Sequence, residues 1–229
     1  MPLAAPVNST VRRHLGEAVD RSDVKSFMLA EYAMLRELRQ HIVSVGEHRV
    51  NVFLATVSGS AVALALINQL SSLGRTRHVI IATILAGLLL LGLITFDRLV
   101  KRSVVMTVYT RGLNRVRRYF VDSYPEISQY IILPVHDDTP SFKAERFLQP
   151  DTGLAALVAV LNSTIAVADC VVLVKVVLEM RTLWALVTGA VVFLTFLLVQ
   201  HRYRRARRTA AETKASILFP SAERVAGIS

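Results

Sequence analysis

The chain has 229 residues, of which 53% are hydrophobic and 19% charged, and its formal net charge is +10 at pH 7. A mean hydropathy of +0.46 is high for soluble domains of this length. It arises largely from three stretches without a charged residue, at 51–74, 79–96 and 182–200. Each is close to the roughly 20 residues that cross ~30 Å of hydrocarbon as a helix. A soluble core would need several helices that are hydrophobic all round, so a soluble protein is excluded.

A fourth apolar stretch, Gly153 to Val174, contains one formal charge, at Asp169, together with Asn162 and Thr164. A carboxylate inside a membrane must be paired, protonated or in contact with water. We therefore predict four membrane spans and expect the third to carry the residues most informative about function.

The basic residues near the span ends are divided very unevenly between the two sides of the membrane. By the positive-inside rule the richer side is cytoplasmic, which places both termini and the middle segment there and two tight turns outside. The charge is thus explained by topology, and no nucleic-acid partner is expected. The richer side holds Arg36, Arg39, Arg49, Arg98, Lys101, Arg102, Arg111, Arg115, Arg117, Lys143, Arg146, Arg202, Arg204, Arg205, Arg207, Arg208 and Lys214, whereas the other holds Arg75, Arg77 and Arg181.

These patterns predict an all-α polytopic membrane protein, a four-helix bundle built from two antiparallel transmembrane hairpins. The predicted segments are a flexible N-terminal tail (1–21), an amphipathic juxtamembrane helix (22–50), the first hairpin (51–96), a cytoplasmic basic helix and loop (97–152), the second hairpin (153–200) and a basic cytoplasmic tail (201–229).

The juxtamembrane helix has apolar residues at spacings of three and four, including Phe27, Met34 and Leu38, and Gly46 is a candidate joint before the first span. It would serve either packing and oligomerisation or simple contact with the membrane surface. In the first span, Ala55, Gly59 and Ala63 form a ridge of small residues that lets another helix approach closely. This ridge would pack within the chain or against a second copy in a homo-oligomer.

The middle segment contains the sequence His136-Asp137-Asp138-Thr139-Pro140. A histidine beside two carboxylates could bind a metal ion, but adjacent polar residues in a turn are more typically solvated. We predict a solvated turn, no metal site and no cofactor.

Part of the middle segment resembles a sequence pattern of uncharacterised bacterial inner-membrane proteins with four spans. The resemblance implies a bacterial inner-membrane location and brings no known activity. The residues that carry it are Asn114-Arg115-Val116-Arg117-Arg118-Tyr119-Phe120, Pro125, Tyr130, Leu133-Pro134, Asp137-Asp138, Pro140 and Phe142, with Glu31-Tyr32 and Leu35-Arg36 before the first span.

The tail begins with a basic cluster next to the fourth span. It would either bind anionic lipid headgroups, at about 1 kcal/mol per basic residue, or act only as a topology anchor. The cluster consists of Arg202, Arg204, Arg205, Arg207 and Arg208.

Asp169 lies 16 residues into the third span, about 24 Å from its start and so in its outer part. Two interpretations stay open. Asp169 could form a structural pair with Arg77, His78 or Arg181 from the outer ends of other spans. Alternatively, it could be a functional acid that lines a polar path with Asn162 and Thr164.

No nucleotide-binding, hydrolase or metalloprotease motif occurs in the sequence, so we expect a protein that is not an enzyme. Our main hypothesis is a membrane protein that acts by assembly, as a homo-oligomeric pore or a scaffold. The alternative is a small ion- or proton-coupled transporter that uses Asp169. An embedded enzyme is the least favoured hypothesis. The sequence does not identify a different protein as partner. The partners that it indicates are the lipid bilayer, anionic lipid headgroups and, in a homo-oligomer, a second copy of the chain.

Overall fold

A computed structural model of the chain describes residues 21–69, 74–142, 153–177 and 182–225. Within these ranges the protein is helical and contains no strand, which confirms the predicted all-α fold. Four helices are long: α1 (Arg21–Gln69), α2 (Gly74–Ser123), α3 (Gly153–Val177) and α4 (Thr182–Lys214). A 3-10 helix, Pro125–Tyr130, follows α2, and a single helical turn, α5 (Ala222–Val225), follows α4.

Each long helix contains an apolar window of sufficient length to cross a membrane. The four predicted spans are therefore confirmed, and the protein is a multi-pass membrane protein. The hairpins are antiparallel because α1 and α2 are joined by only four residues, 70–73, and α3 and α4 by only four, 178–181.

Helices α1 and α2 are each about 75 Å long and extend far beyond the membrane. No proline occurs between Pro6 and Pro125, so nothing in that interval removes a helical hydrogen bond. The candidate joint at Gly46 does not interrupt α1. Gly46 is instead buried against α2, where the Arg102 side chain reaches across and donates to the Ile42 carbonyl oxygen at 3.4 Å. Helix α2 ends at Ser123, and Tyr124, with φ −140° and ψ 78°, lies outside the helical region that a following proline disfavours.

Helix α2 packs along both α1 and α3, and α3 packs along α4. Over the described residues α1 and α4 have no comparable contact, so they form the two edges of the bundle. The main hydrophobic core joins α1, α2 and α3 near the end of the spans from which the long helices leave the membrane. It consists of Val50, Phe53, Leu85, Leu88, Phe96, Leu99, Val100, Val158, Ala159 and Ile165.

The parts of α1, α2 and α4 that continue beyond the uncharged stretches all leave the membrane on the same side. Together with the loop after α2 and the segment after α4, they form what we call the extramembrane unit, residues 21–50, 97–142 and 201–225. The 30 residues of α1 in this unit alone extend about 45 Å from the membrane.

Candidate functional site

Three buried polar side chains meet inside the membrane between α3 and α4, and we call them the intramembrane polar cluster: Asn162, Ser163 and Gln200. Asn162 Nδ2 donates to Gln200 Oε1 at 3.2 Å. Gln200 Nε2 in turn lies within hydrogen-bond distance of the Ala159 carbonyl oxygen, at 3.2 Å, and of Ser163 Oγ, at 3.4 Å. Amide groups of this kind hold neighbouring membrane helices together because hydrocarbon offers them no other partner.

Gly92 on α2 makes room for this cluster. A Cβ atom at this position would lie 1.9 Å from Asn162 Oδ1 and 2.9 Å from Phe53 Cζ. The absence of a side chain therefore lets α2 and α3 approach closely, with Asn162 lying over the α2 backbone. Asn162 Oδ1 is buried there and accepts no hydrogen bond among the described residues. The cluster thus fixes the relative positions of three helices and leaves one acceptor unused.

The predicted polar path with Asn162 and Thr164 does not form on one face of α3. Thr164 is exposed on the outside of the bundle, and its hydroxyl donates to the Val160 carbonyl oxygen at 3.0 Å. Asn162 is buried on the inner side. Asp169 lies two turns beyond Asn162 and is half-buried, and its Oδ1 is buried with no hydrogen-bond partner among the described residues.

The structure does not bring Asp169 together with Arg77 or His78, the two predicted partners that lie within the described residues. Arg77 Nη1 donates to the Asn68 carbonyl oxygen at 3.2 Å. Neither Arg77 nor His78 forms an ion pair or hydrogen bond with Asp169, and Arg181 lies outside the described residues. The structural pairing of Asp169 thus has no support from Arg77 or His78.

The small residues of the first span do not pack against the other residues that the structure describes. Ala55, Gly59 and Ala63 are all exposed, and a Cβ atom at Gly59 would meet no other atom within 4 Å. This face of α1 is turned away from α2 and α3.

A second buried polar site lies in the extramembrane unit and was not foreseen. Arg111 on α2 and Glu212 near the end of α4 form an ion pair with a 2.9 Å separation between Nη2 and Oε2, and each side chain is only 6% exposed. The Arg111 guanidinium also donates to the carbonyl oxygens of Pro140 and Asp138, at 3.1 and 3.2 Å, and lies 4.4 Å from the centre of the Phe142 ring. One arginine thus joins α2, the following loop and α4.

Asp137 and Asp138, the two carboxylates of the predicted solvated turn, are buried, so that prediction is wrong. Asp137 accepts hydrogen bonds from the backbone N–H groups of Leu218 and Phe219, each at 2.9 Å, and from Arg115 Nε at 2.8 Å. Asp138 accepts from the backbone N–H and the hydroxyl of Ser221, at 2.9 and 2.6 Å. We call residues 212–221, held in this way by the loop and α2, the C-terminal latch.

Burial by itself would raise the pKa of Asp137. The hydrogen bonds from Leu218, Phe219 and Arg115 outweigh it, so the pKa lies below the ordinary carboxyl range. For Asp138, burial likewise opposes ionisation, and the two bonds from Ser221 lower the pKa. Both carboxylates therefore act as ionised acceptors that fix the latch.

Several residues of the resemblance pattern meet at the latch. Asn114 is buried, and its Nδ2 donates to the carbonyl oxygens of His136 and Thr139, at 2.9 and 2.7 Å, which orients the loop that carries Asp137 and Asp138. Asn114 is an uncharged polar residue within an arginine-rich part of α2, and this difference is the sequence signal that could have indicated the contact. Nothing local to Glu212 indicated its role.

The basic cluster is divided between two faces of α4. Arg204 and Arg208 are buried inside the extramembrane unit, whereas Arg202, Arg205 and Arg207 are exposed. The exposed Arg207 also lies 5.4 Å from the Tyr203 ring centre and donates to the Tyr203 hydroxyl at 3.1 Å. Lipid-headgroup binding therefore stays a prediction for the exposed arginines only.

No family model, curated protein or solved structure matches the chain. The residues themselves establish a multi-pass, all-α membrane protein with one buried polar cluster between its spans and a second that closes its extramembrane unit.

Proposed function

We propose that this protein is not an enzyme and acts by assembly in the membrane, as a homo-oligomeric pore or a scaffold. The observation that carries the proposal is the open edge of the bundle at α1. Only 11% of the apolar window of α1 is buried within the chain, compared with 33% for α3. A helix so weakly covered by its own chain has most of its surface free for other spans or for lipid.

The chemistry of the buried polar residues supports a structural role. Asn162 is bonded to Gln200, Arg111 to Glu212, and Asp137 to Arg115 and the latch. Each of these groups binds another part of the same chain and joins helices or loops, and such contacts stabilise the fold. No pair of a nucleophile and a base is among them.

The charge distribution of the sequence supports an extramembrane unit in the cytoplasm, and the resemblance pattern supports a bacterial inner membrane. In that orientation Arg202 and Arg205 follow the fourth span directly and are exposed. They would contact anionic lipid headgroups at the cytoplasmic surface, each with about 1 kcal/mol.

The decisive measurement is the mass of the purified protein in lipid nanodiscs. We expect a multiple of the 25.3 kDa chain mass, and a single chain per nanodisc across a range of protein concentrations would refute assembly. Release of a trapped dye from proteoliposomes then separates the two forms of the proposal: a pore gives unselective leak, and a scaffold gives none.

A second candidate is an ion- or proton-coupled transporter that uses Asp169. It is favoured by one observation, the buried Asp169 Oδ1, which has no hydrogen-bond partner in the part of the chain that the structure describes. Transport would appear as uptake driven by a pH gradient in proteoliposomes. Asp169→Asn should abolish that uptake while the protein remains folded. Equal uptake by the variant and the wild type would exclude this role.

A further inference from the structure

One face of α1 carries exposed apolar side chains in the part of the helix that lies outside the membrane, and Glu31 and His41 interrupt them on the same face. Phe27, Met34 and Leu38 are 67%, 46% and 37% exposed. Their spacings of seven and four residues place them on a single face. Leu38 lies 13 residues before the first span and Phe27 lies 24, so they are about 20 and 36 Å from its start. Lipid cannot cover them at that distance.

The same face continues into the membrane. From Leu38, steps of seven residues reach Val45, Val52, Gly59 and Leu66. Val52, Gly59 and Leu66 are exposed, and Val45 is half-buried. A repeat of seven residues keeps side chains on one seam of a helix that pairs with another. The exposed seam therefore runs through nearly the full length of α1, and we call it the α1 seam.

The rest of the chain packs on a different side of α1. Gly46, Val50 and Phe53 face α2 and α3 and are buried. None of the three belongs to the seven-residue series of the α1 seam. The seam is thus a surface beside the internal packing face, and over the described residues Phe27, Met34 and Leu38 stay exposed in its extramembrane part.

Only one kind of partner fits both halves of the seam. A soluble protein would cover Phe27, Met34 and Leu38 and stop at the membrane, whereas lipid would cover Val52 and Leu66 and stop at the surface. A helix that spans the membrane and continues about 45 Å beyond it can cover both. Helix α1 itself has this length and this division.

We propose that α1 pairs in parallel with α1 of a second copy along the α1 seam. The pairing rests on the proposed function and specifies its partner. Copies insert in one orientation, so equal residues meet at equal depth: Met34 and Leu38 outside the membrane, and Gly59 inside it, where the missing side chain permits close approach. His41 and His48 lie among the seam positions outside the membrane, and such polar positions fix the register of paired helices.

The test is disulfide cross-linking in native membranes, after replacement of the only cysteine, Cys170, by alanine. Met34→Cys and Leu38→Cys should each give a covalent dimer on oxidation. Arg36→Cys and Arg39→Cys are the matched controls. Both arginines are exposed and lie close to Met34 and Leu38 in the sequence, but they are on the side of the helix that faces away from the seam. The two control variants should therefore remain monomeric on oxidation.

The outcomes separate the pairing from the proposed function. A mass of several chains with equal cross-linking at Arg36→Cys and Met34→Cys would overturn the α1 pairing and leave assembly standing. A mass of one chain would overturn both. A covalent product of Leu38→Cys with a different protein would also overturn the pairing.

A second variant tests the energetics. Leu38→Glu places a charge in the seam at a side chain that is 37% exposed in the single chain and lies outside the buried core, so the fold should be kept. We expect at least a tenfold increase in the concentration at which the oligomer dissociates, and no change for Arg36→Glu. Equal oligomer masses for Leu38→Glu and the wild type at every concentration would refute the pairing.

Discussion

Gly92 is the position where the smallest change should have the largest effect on the membrane part of the fold. In Gly92→Ala the new Cβ would collide with Asn162 Oδ1 and Phe53 Cζ, and both side chains are buried too completely to move aside. We expect a loss of about 1–3 kcal/mol in the free energy of unfolding, the usual cost of an overpacked core. Thermal unfolding in detergent measures it.

Gly87→Ala on the same helix is the matched control, since its Cβ would meet nothing within 4 Å. It should unfold at or slightly above the wild-type temperature, because alanine favours a helix by about 1 kcal/mol over glycine. The double variant Gly92→Ala/Asn162→Ala should lose less stability than the two single losses added together. Identical unfolding temperatures for Gly92→Ala and Gly87→Ala would contradict the close contact.

Asp137 should make the extramembrane unit sensitive to acid. Its pKa is lowered in the folded protein, so its stabilising contribution is complete above the ordinary carboxyl pKa, about 3.9, and is lost as the pH falls through the folded value. The unfolding temperature of the wild type should therefore fall on acidification below about pH 4. Asp137→Asn should unfold at a lower temperature than the wild type at pH 7, and its unfolding temperature should fall less than that of the wild type on acidification.

The latch gives a local measurement of the same effect. In Asp137→Asn the amides of Leu218 and Phe219 lose an ionised acceptor, and hydrogen exchange there should be about tenfold faster or more at pH 7. Asp122→Asn is the control, because Asp122 forms only a partly exposed pair with Arg118 within one helix. Unchanged exchange at Leu218 in Asp137→Asn would show that the latch is held by other contacts.

At the residue scale, a buried polar group can be predicted from the sequence when it interrupts an apolar run. It cannot be predicted when the residues around it are themselves polar or charged. Asn162 stands out because every residue near it is apolar or small. Gln200 lies between an apolar run and a basic cluster, so it resembles an interfacial residue although it is buried. Glu212 pairs with a residue 101 positions away, and no local pattern encodes a contact of that range.

At the scale of elements, the ion pair between Arg111 and Glu212 is the main polar link between α2 and α4 that the structure describes outside the membrane. Arg111→Met or Glu212→Gln removes the opposite charge from a side chain that stays buried with only its remaining hydrogen bonds, those of Arg111 to the Pro140 and Asp138 carbonyls or that from the Phe142 N–H to Glu212. Each variant should therefore cost about 3–5 kcal/mol in the free energy of unfolding. The pair Arg111→Met/Glu212→Leu should cost clearly less than the sum. Chemical denaturation of the four proteins measures the coupling.

The exposed pair of Arg118 and Asp122 is the reference for this cycle. Its side chains are 34% and 50% exposed, and its coupling should lie between about 0 and 1 kcal/mol. A coupling for Arg111 and Glu212 within the same range would mean that the α2–α4 contact depends on apolar packing alone.

The helices themselves were largely predictable, and their continuity was not. Hydrophobic runs define each span, and the absence of proline allows each helix to extend beyond it. The candidate joint at Gly46 does not interrupt α1, because tertiary packing against Arg102 outweighs the weak helix preference of a single glycine, about 1 kcal/mol. The identity of a single residue does not reveal which side chain of another helix will pack against it.

At the scale of the whole molecule, topology is the property that the charge pattern predicts most directly. A cysteine at Glu126, an exposed position in the 3-10 helix of the extramembrane unit, should be protected in intact cells from a thiol reagent that cannot cross membranes. A cysteine at Ser72, between the first two spans, should be labelled. Labelling of Glu126→Cys before the cells are opened would reverse the orientation.

The position of the C-terminal latch in the chain has a consequence for the order of events during synthesis. Glu212 is translated 101 residues after Arg111, and Leu218 is translated 81 residues after Asp137. When the first hairpin enters the bilayer, Arg111, Asp137 and Asp138 still lack these partners and must remain hydrated. The ribosome supplies the partners only after it has translated all of α4. Closure of the extramembrane unit therefore requires that the last span has been made, and a nascent chain that stalls earlier has Arg111 without Glu212 and Asp137 without the Leu218 and Phe219 amides.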